Sequence, residues 1–170
     1  WNEKTYKVNE RMTTLSYEAH VKYTGRRFSF AAKSLLASCL DHTALIGGYG
    51  ISSVRPDNGE QEYTPFRHST SWVNFTCGTK WKGHFFAGYT KNLGTADALV
   101  SATKYGMGLD IDQVFSTNIA FSYNLPHWQI GLEYMPTTAW YGDTDRASGK
   151  VVDTHSVTNH RVLGLVMYYF

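Results

Sequence analysis

Long hydrophobic runs are missing from this 170-residue chain. No stretch approaches the roughly 18–20 apolar residues of a membrane-crossing helix, so a helical membrane protein is excluded. A strand that alternates apolar and polar residues is not. An excess of charge is also missing: Lys+Arg 16 against Asp+Glu 14 gives a formal charge of +2. With no basic run to concentrate it, that balance excludes a nucleic-acid partner. Cys39 and Cys77 are the only two cysteines, too few for a disulfide framework, and they read as unpaired thiols. No Cys/His set has zinc spacing, and no G-x-S-x-G elbow exists. "KNLGT" lacks the Gly-Lys-Ser/Thr of a phosphate loop. Asp143 and Asp145 in "DTD" read as a solvated turn rather than a calcium site. No enzyme, metal or other cofactor is expected. No secretion signal opens the chain, and no segment of useful length has helical periodicity.

Aromatics are abundant instead, at 15%, with 12 Tyr, 9 Phe and 5 Trp, beside 15 Gly and only 4 Pro. That is a β composition. Two-residue alternation recurs along the whole chain. "LSYEAHVKY" sets Leu15, Tyr17, Ala19, Val21 and Tyr23 against Ser16, Glu18, His20 and Lys22. "KWKGHFFAGYT" sets Trp81, Gly83, Phe85, Ala87 and Tyr89 against Lys80, Lys82 and His84. "HWQIGLEYM" sets Trp128, Ile130, Leu132 and Tyr134 against Gln129, Gly131 and Glu133. The pattern predicts one all-β domain over 1–170 with about eight antiparallel strands: 14–24, 26–39, 44–54, 66–77, 79–90, 110–124, 127–140 and 156–170. Residues 44–54 are too Gly-rich for a face to be assigned, and Val73 and Phe75 share the apolar face only if Trp72 turns the other way. "TADALVSATKYG" reads as loop with a possible helical turn.

The connections sort by length. From the C-terminal end they run long (141–155), short ("NLPHW"), long (91–109), short ("CGTK") and long (54–65). The link at "CLDHT" is fairly short, and the tight turn at "YTGRR" breaks the series. Short turns at one end and long loops at the other are the habit of outer-membrane up-and-down β-barrels. In such a barrel the apolar face meets lipid and Trp and Tyr gather at the two interfaces. Tyr17, Tyr23, Trp81, Tyr89, Tyr123, Trp128 and Tyr134 are the expected girdle. The ending "NHRVLGLVMYYF" resembles the terminal-strand signature of Gram-negative outer-membrane proteins, with Tyr168 and Phe170 as the expected assembly signal. Its partner is then the barrel-assembly machinery. Its surroundings are membrane lipid and lipopolysaccharide, with the C-terminus in the periplasm.

"LIGGYGIS", "YTPFRHSTSW", "FFAGYTKNLGT" and "IGLEYMPTTAWYGD…NHRVLGLVMYYF" are similar to the C-terminal half of DcaP-like porins, in the branch found in Bacteroidota. The resemblance covers most of residues 14–170, and "GYTKNLG" with the terminal strand is its most specific part. It implies a sixteen-stranded, trimeric barrel that passes small, often anionic, solutes by diffusion. About eight strands make half of such a barrel, so an N-terminal half is expected outside these residues. The alternative is a small eight-stranded barrel plugged by its own side chains, serving as a membrane anchor or adhesion scaffold. A soluble ligand-binding barrel is a third reading.

For transport the polar face matters. Lys22, Arg27, Lys33, Lys80, Lys82, His84, Glu133 and Arg161 are the expected pore-lining residues. Glu18 and Asp112 also fall on that face, and the surplus of cations predicts a weak preference for anions. Arg55 and Arg67 flank an external loop and would line a constriction if that loop folds inward.

Overall fold

The computed structural model describes residues 10–41 and 45–170. Among these, nine strands form: β1 (Tyr17–Thr24), β2 (Phe28–Ser38), β3 (Gly47–Val54), β4 (Gln61–Gly78), β5 (Trp81–Gly94), β6 (Lys104–Met107), β7 (Ile111–Asn124), β8 (Trp128–Thr144) and β9 (Val151–Tyr168). No α-helix forms among the described residues, and none is long and apolar enough to cross a membrane. The "TADALVSATKYG" segment ends in β6 rather than in a helical turn.

The main sheet is an antiparallel meander in the order β1-β2-β4-β5-β7-β8-β9. Seven strands therefore cross it, where the alternation predicts eight. The difference lies at 44–54, whose first residue, Ala44, is outside the described residues. The segment is not a separate crossing. Ser38 ends β2 opposite Arg67 of β4, and Gly48, the second residue of β3, lies opposite Phe66. So β3 continues the line of β2 along the same edge of β4. The Gly-rich sequence "LIGGYGIS" gives no alternation from which this could be read.

The correction also removes the irregularity in the loop series. One end of the sheet carries the tight turns at 25–27, 79–80 and 125–127. The other end carries 55–60, 95–110 and 145–150. The long polar links expected at 54–65 and 141–155 shorten because β4 begins at Gln61, β8 runs on to Thr144 and β9 begins at Val151. Both upper hairpins close with the same hydrogen-bond pattern. Arg55 N–H donates to Glu60 C=O and Gly59 N–H to Arg55 C=O, while Asp145 N–H donates to Lys150 C=O and Gly149 N–H to Asp145 C=O. Gly59 and Gly149 take φ of 73° and 65° there, a left-handed conformation that other residues adopt at a cost.

Register fixes the faces. Tyr23, Phe30, Phe75, Phe85, Ile119, Tyr134 and Val162 are successive cross-strand partners on one face. Lys33, Trp72 and Gly88 lie across β2, β4 and β5 on the other, so Trp72 does turn away from Val73 and Phe75. The apolar face is widely open: Phe121 is 64% exposed, Leu132 60% and Val162 68%. The buried apolar core is small by contrast, a cluster of Phe66, Leu99 and Leu109 at the long-loop end.

Every step along the main sheet is antiparallel, and there are six of them between β1 and β9. The two edge strands therefore run in the same direction. β1 and β9 do not pair, and the sheet is open.

β6 joins the other edge of β3 through a glycine pair. A Cβ on Gly106 would stand 2.1 Å from the Gly47 carbonyl oxygen, and one on Gly48 2.0 Å from that of Tyr105. With φ of 146° at Gly106, Gly106→Ala forces a strained backbone costing about 1–3 kcal/mol. Amides of 47–50 and 104–107 should then exchange with deuterium roughly 10- to 100-fold faster, while those of 82–90 stay protected. Unchanged exchange at β6 would mean that the pairing tolerates a side chain.

Candidate functional site

On the apolar face two rows of aromatics bound a charge-free band. The row at the tight-turn end is built from cross-strand neighbours. Tyr23 lies 5.2 Å from Phe28, Trp81 4.5 Å from Tyr123 and Trp128 4.8 Å from Tyr168, between ring centroids. Phe170 stands edge-on to Tyr168 at 5.1 Å, so Tyr168 and Phe170 extend this row. The other row holds Tyr17, Tyr89 and Tyr134. There each of two hydroxyls has a polar partner: Tyr89 donates to Gln113 at 2.6 Å, and Tyr134 lies 2.8 Å from His160 Nδ1. Lys91 sits just beyond Tyr89 and is bound to Asp112 at 2.6 Å. From Trp81 to Tyr89 the chain advances about 26 Å at roughly 3.3 Å per residue. A strand tilt of roughly 40° would make the band about 20 Å tall, close to the ~25 Å apolar band of a membrane barrel.

The opposite face gathers Lys22, Lys33, Lys82, His84, Glu133 and Arg161. Two of its cations are neutralised. Lys33 lies 2.6 Å from Glu18, and Arg161 lies 2.6 Å from Glu133. Lys22 and Lys82 have no ion pair among the described residues. Two expected members of the face lie elsewhere. Arg27 is in the 25–27 turn, where its carbonyl accepts from Gly78 N–H. Lys80 is in the 79–80 turn rather than in β5, and its ammonium stands 5.1 Å from the ring of Tyr123, on the apolar side. The two-residue step from Lys82 places Lys80 on the polar face only if the strand persists, and the turn ends it. Asp112 answers Lys91 at the border of the band, beside a bulge between Ile111 and Gln113.

A hydrogen-bonded chain crosses this face. Thr76 Oγ1 lies 3.2 Å from His84 Nδ1, His84 Nε2 lies 3.2 Å from Ser122 Oγ, and the Asn124 amide donates to Ser122 Oγ. These links tie β4, β5 and β7 together below Glu133. No group of three or more His, Cys, Asp or Glu among the described residues is placed to hold a metal ion.

At the long-loop end, the part of the 95–110 connection before β6 lies over the polar side of β3 and β4. Leu99 packs with Phe66, and a Cβ on Gly50 would stand 2.6 Å from Leu99 Cδ2. Val100 N–H donates to Ile51 C=O. The same loop reaches the β8–β9 tip, where Thr95 N–H donates to Ser148 C=O and Leu99 N–H to Arg146 C=O. Arg67 fixes its start by donating to the Thr95 carbonyl at 3.2 Å, whereas Arg55 stays in its own hairpin, paired with Glu60 at 2.6 Å. Asp145 in the tip accepts from the Ser148 hydroxyl and the Ala147 amide, which hold its carboxyl below the usual range. Both cysteines are free thiols. Burial, and then the Asp41 carboxylate, push the Cys39 thiol up. The fold of the loop onto the polar side leaves one trace in sequence, the apolar pair Leu99 and Val100 inside a polar segment, which is also what a short helical turn would show.

The chain matches no protein-family model, and neither curated proteins nor solved structures include a match to it.

Leu99 is 5% exposed, and Leu99→Ala should cost the docked loop about 2–5 kcal/mol. Protease cleavage within 95–110 should then rise steeply while the strands stay intact. Equal cleavage of parent and variant would place the anchor elsewhere.

Proposed function

We propose that these residues form one sector of an outer-membrane β-barrel through which small hydrophilic solutes diffuse, as the resemblance to DcaP-like porins implies. The observation that carries this reading is the open apolar face, free of charge between two aromatic rows. Exposing a Val, Leu, Ile or Phe side chain to water forgoes roughly 1.5–3 kcal/mol, so a face of this extent in water would sacrifice on the order of tens of kcal/mol. Lipid removes the penalty. Contiguous apolar surface on this scale marks a protein or membrane contact. The sorted turns and the aromatic rows fit the same reading, with the tight-turn end and Phe170 in the periplasm.

The direction of the edges bears on closure. Because β1 and β9 run the same way, they cannot meet as antiparallel neighbours. A closed barrel then takes an odd number of further strands from polypeptide outside the described residues. A sixteen-stranded pore and an eight-stranded plugged barrel both satisfy this count. Conductance separates them, because eight strands enclose a lumen just filled by side chains. Trimer formation, contact with lipopolysaccharide and delivery by the barrel-assembly machinery belong to the same proposal.

Replacing Phe85 or Leu132 by Lys should destabilise the folded protein in lipid by about 2–4 kcal/mol if the site lies near the midplane. No loss, measured by denaturant titration in bilayers, would sink the assignment of the lipid face. For selectivity, Lys22 and Lys82 are the unpaired cations of the polar face among the described residues. Converting both to Glu should move the reversal potential under a salt gradient toward cations, whereas Lys80→Glu should leave it in place. The shift should fade near 1 M salt, where screening shortens the field to about 3 Å. An unchanged reversal potential at low salt would remove these lysines from the permeation path.

A further inference from the structure

The polar face is not evenly lined. On β7 and β8 Ala120 and Gly131 lie diagonally across the strand pair, opposite Glu133 and Ser122 respectively, and both line a recess of about 380 Å³. That is within the roughly 300–1,000 Å³ of small-molecule sites. Phe86, Leu163 and Leu165 wall it. The Phe86 ring reaches over Gly88, where a Cβ would stand 2.9 Å from its Cζ, and leans on Trp72 at 6.3 Å. Around these walls stand Asn74, Asn118, Gln129 and Glu133.

The charges that line the recess are paired, and the unpaired Lys82 lies next to it as the cross-strand partner of Ser122. Arg161 donates to Glu133 Oε1 at 2.6 Å, and the Asn118 amide donates to the same carboxylate. The carboxylate thus has its counter-charge and opposes a second anion, while Arg161 is occupied. What remains are uncharged groups with hydrogen bonds to spare. Gln129 Oε1 accepts from the Tyr169 hydroxyl, which leaves its NH₂ to donate. Asn118 keeps its carbonyl oxygen, and the Asn74 side chain has no partner among the described residues. Amides offer donors and acceptors together, which suits hydroxyl groups, each both donor and acceptor. The wall of Phe86, Leu163 and Leu165 suits a compact ring with apolar C–H faces.

We propose that this recess is a subsite for a neutral polyhydroxylated ring compound, a small sugar, within the lumen; the proposal rests on the porin reading above. Its affinity should be on the order of millimolar, because a conducting site must also release. It departs from the anion preference that the inward cations alone predict, since the pairs at Glu18–Lys33 and Glu133–Arg161 cancel much of that field.

The test uses the full protein chain, with maltose as a neutral probe and gluconate as an anionic one. Saturation-transfer NMR on detergent-solubilised protein reads binding, and single-channel recording in KCl reads conduction. Maltose should give saturation transfer and interrupt the current, and gluconate should do so more weakly. Ala120→Leu fills the floor and should weaken maltose binding at least about tenfold, whereas Ser71→Leu on the opposite face should not. Heat-modifiable gel mobility checks folding; if Ala120→Leu fails to fold, Asn118→Ala carries the same expectation in weaker form. A conducting protein that gives no maltose signal would overturn the subsite and leave the porin reading in place. Maltose binding by a protein that never conducts would overturn the porin reading and leave the recess. Gluconate binding as tight as maltose, or a folded Ala120→Leu that binds like the parent, would overturn the proposal.

Discussion

The structure depends on one constraint: an unbroken hydrogen-bonded register in a lattice whose side chains alternate with period two. A slip of one residue between any two strands would carry that strand's apolar set to the other face. The register is held from Thr24–Ser29 at one edge to Trp128–Tyr168 at the other. Where it shifts, at Arg67/His68, Ile111/Gln113 and Tyr141/Asp143, it does so at the long-loop end, beyond the aromatic row of Tyr17, Tyr89 and Tyr134. Irregular backbone is thereby kept outside the charge-free band. Within the band most backbone donors and acceptors between neighbouring strands have a ladder to join, as an apolar surrounding demands; the β7–β8 ladder lapses between Ser116–Thr137 and Ile119–Tyr134, beside Pro136, which has no N–H.

That division explains which parts were legible in the sequence. Periodicity reports the face of a residue whenever its strand is regular. Phe85, Ile119, Leu132 and Lys82, His84, Glu133 could be sorted without coordinates, and so could the turn at "CGTK". Periodicity says nothing about register, so the pairing of Lys33 with Glu18 and of Arg161 with Glu133 was hidden, and with it the fact that Lys22 and Lys82 are left as the uncompensated charges of the polar face among the described residues. It also fails where side chains are absent. "LIGGYGIS" carries the continuation of β2 into β3 and the close approach of β6, both of which use glycine because nothing larger fits. Lys80 shows the third limit: two-residue logic holds only while the strand lasts. The recess at Ala120 and Gly131 combines small residues from two strands, and only the register, which sets them diagonally across the β7–β8 pair, shows that they come near each other.

The two ends of the sheet are built on different principles. The tight-turn end is all backbone economy and aromatic edges. The long-loop end has its own small core in Phe66, Leu99 and Leu109, and a loop tied at one side to β3 and at the other to the β8–β9 tip. A connection held at both sides by backbone hydrogen bonds and at its middle by a buried leucine has little freedom to swing. Its position over the polar side of β3 and β4 is thus part of the folded framework.

The shared direction of the two free edges has a consequence for crowding. If the sheet lies in a membrane as proposed, copies of it inserted the same way up present only downward-running edges to one another. No rotation within the plane of a membrane turns one of them into an antiparallel match, and a parallel match is the slightly weaker pairing. An open edge is ordinarily an invitation to any neighbour. Here strand polarity acts as a biased fastener: it offers its own duplicates only the weaker, parallel pairing and favours a strand that runs the other way.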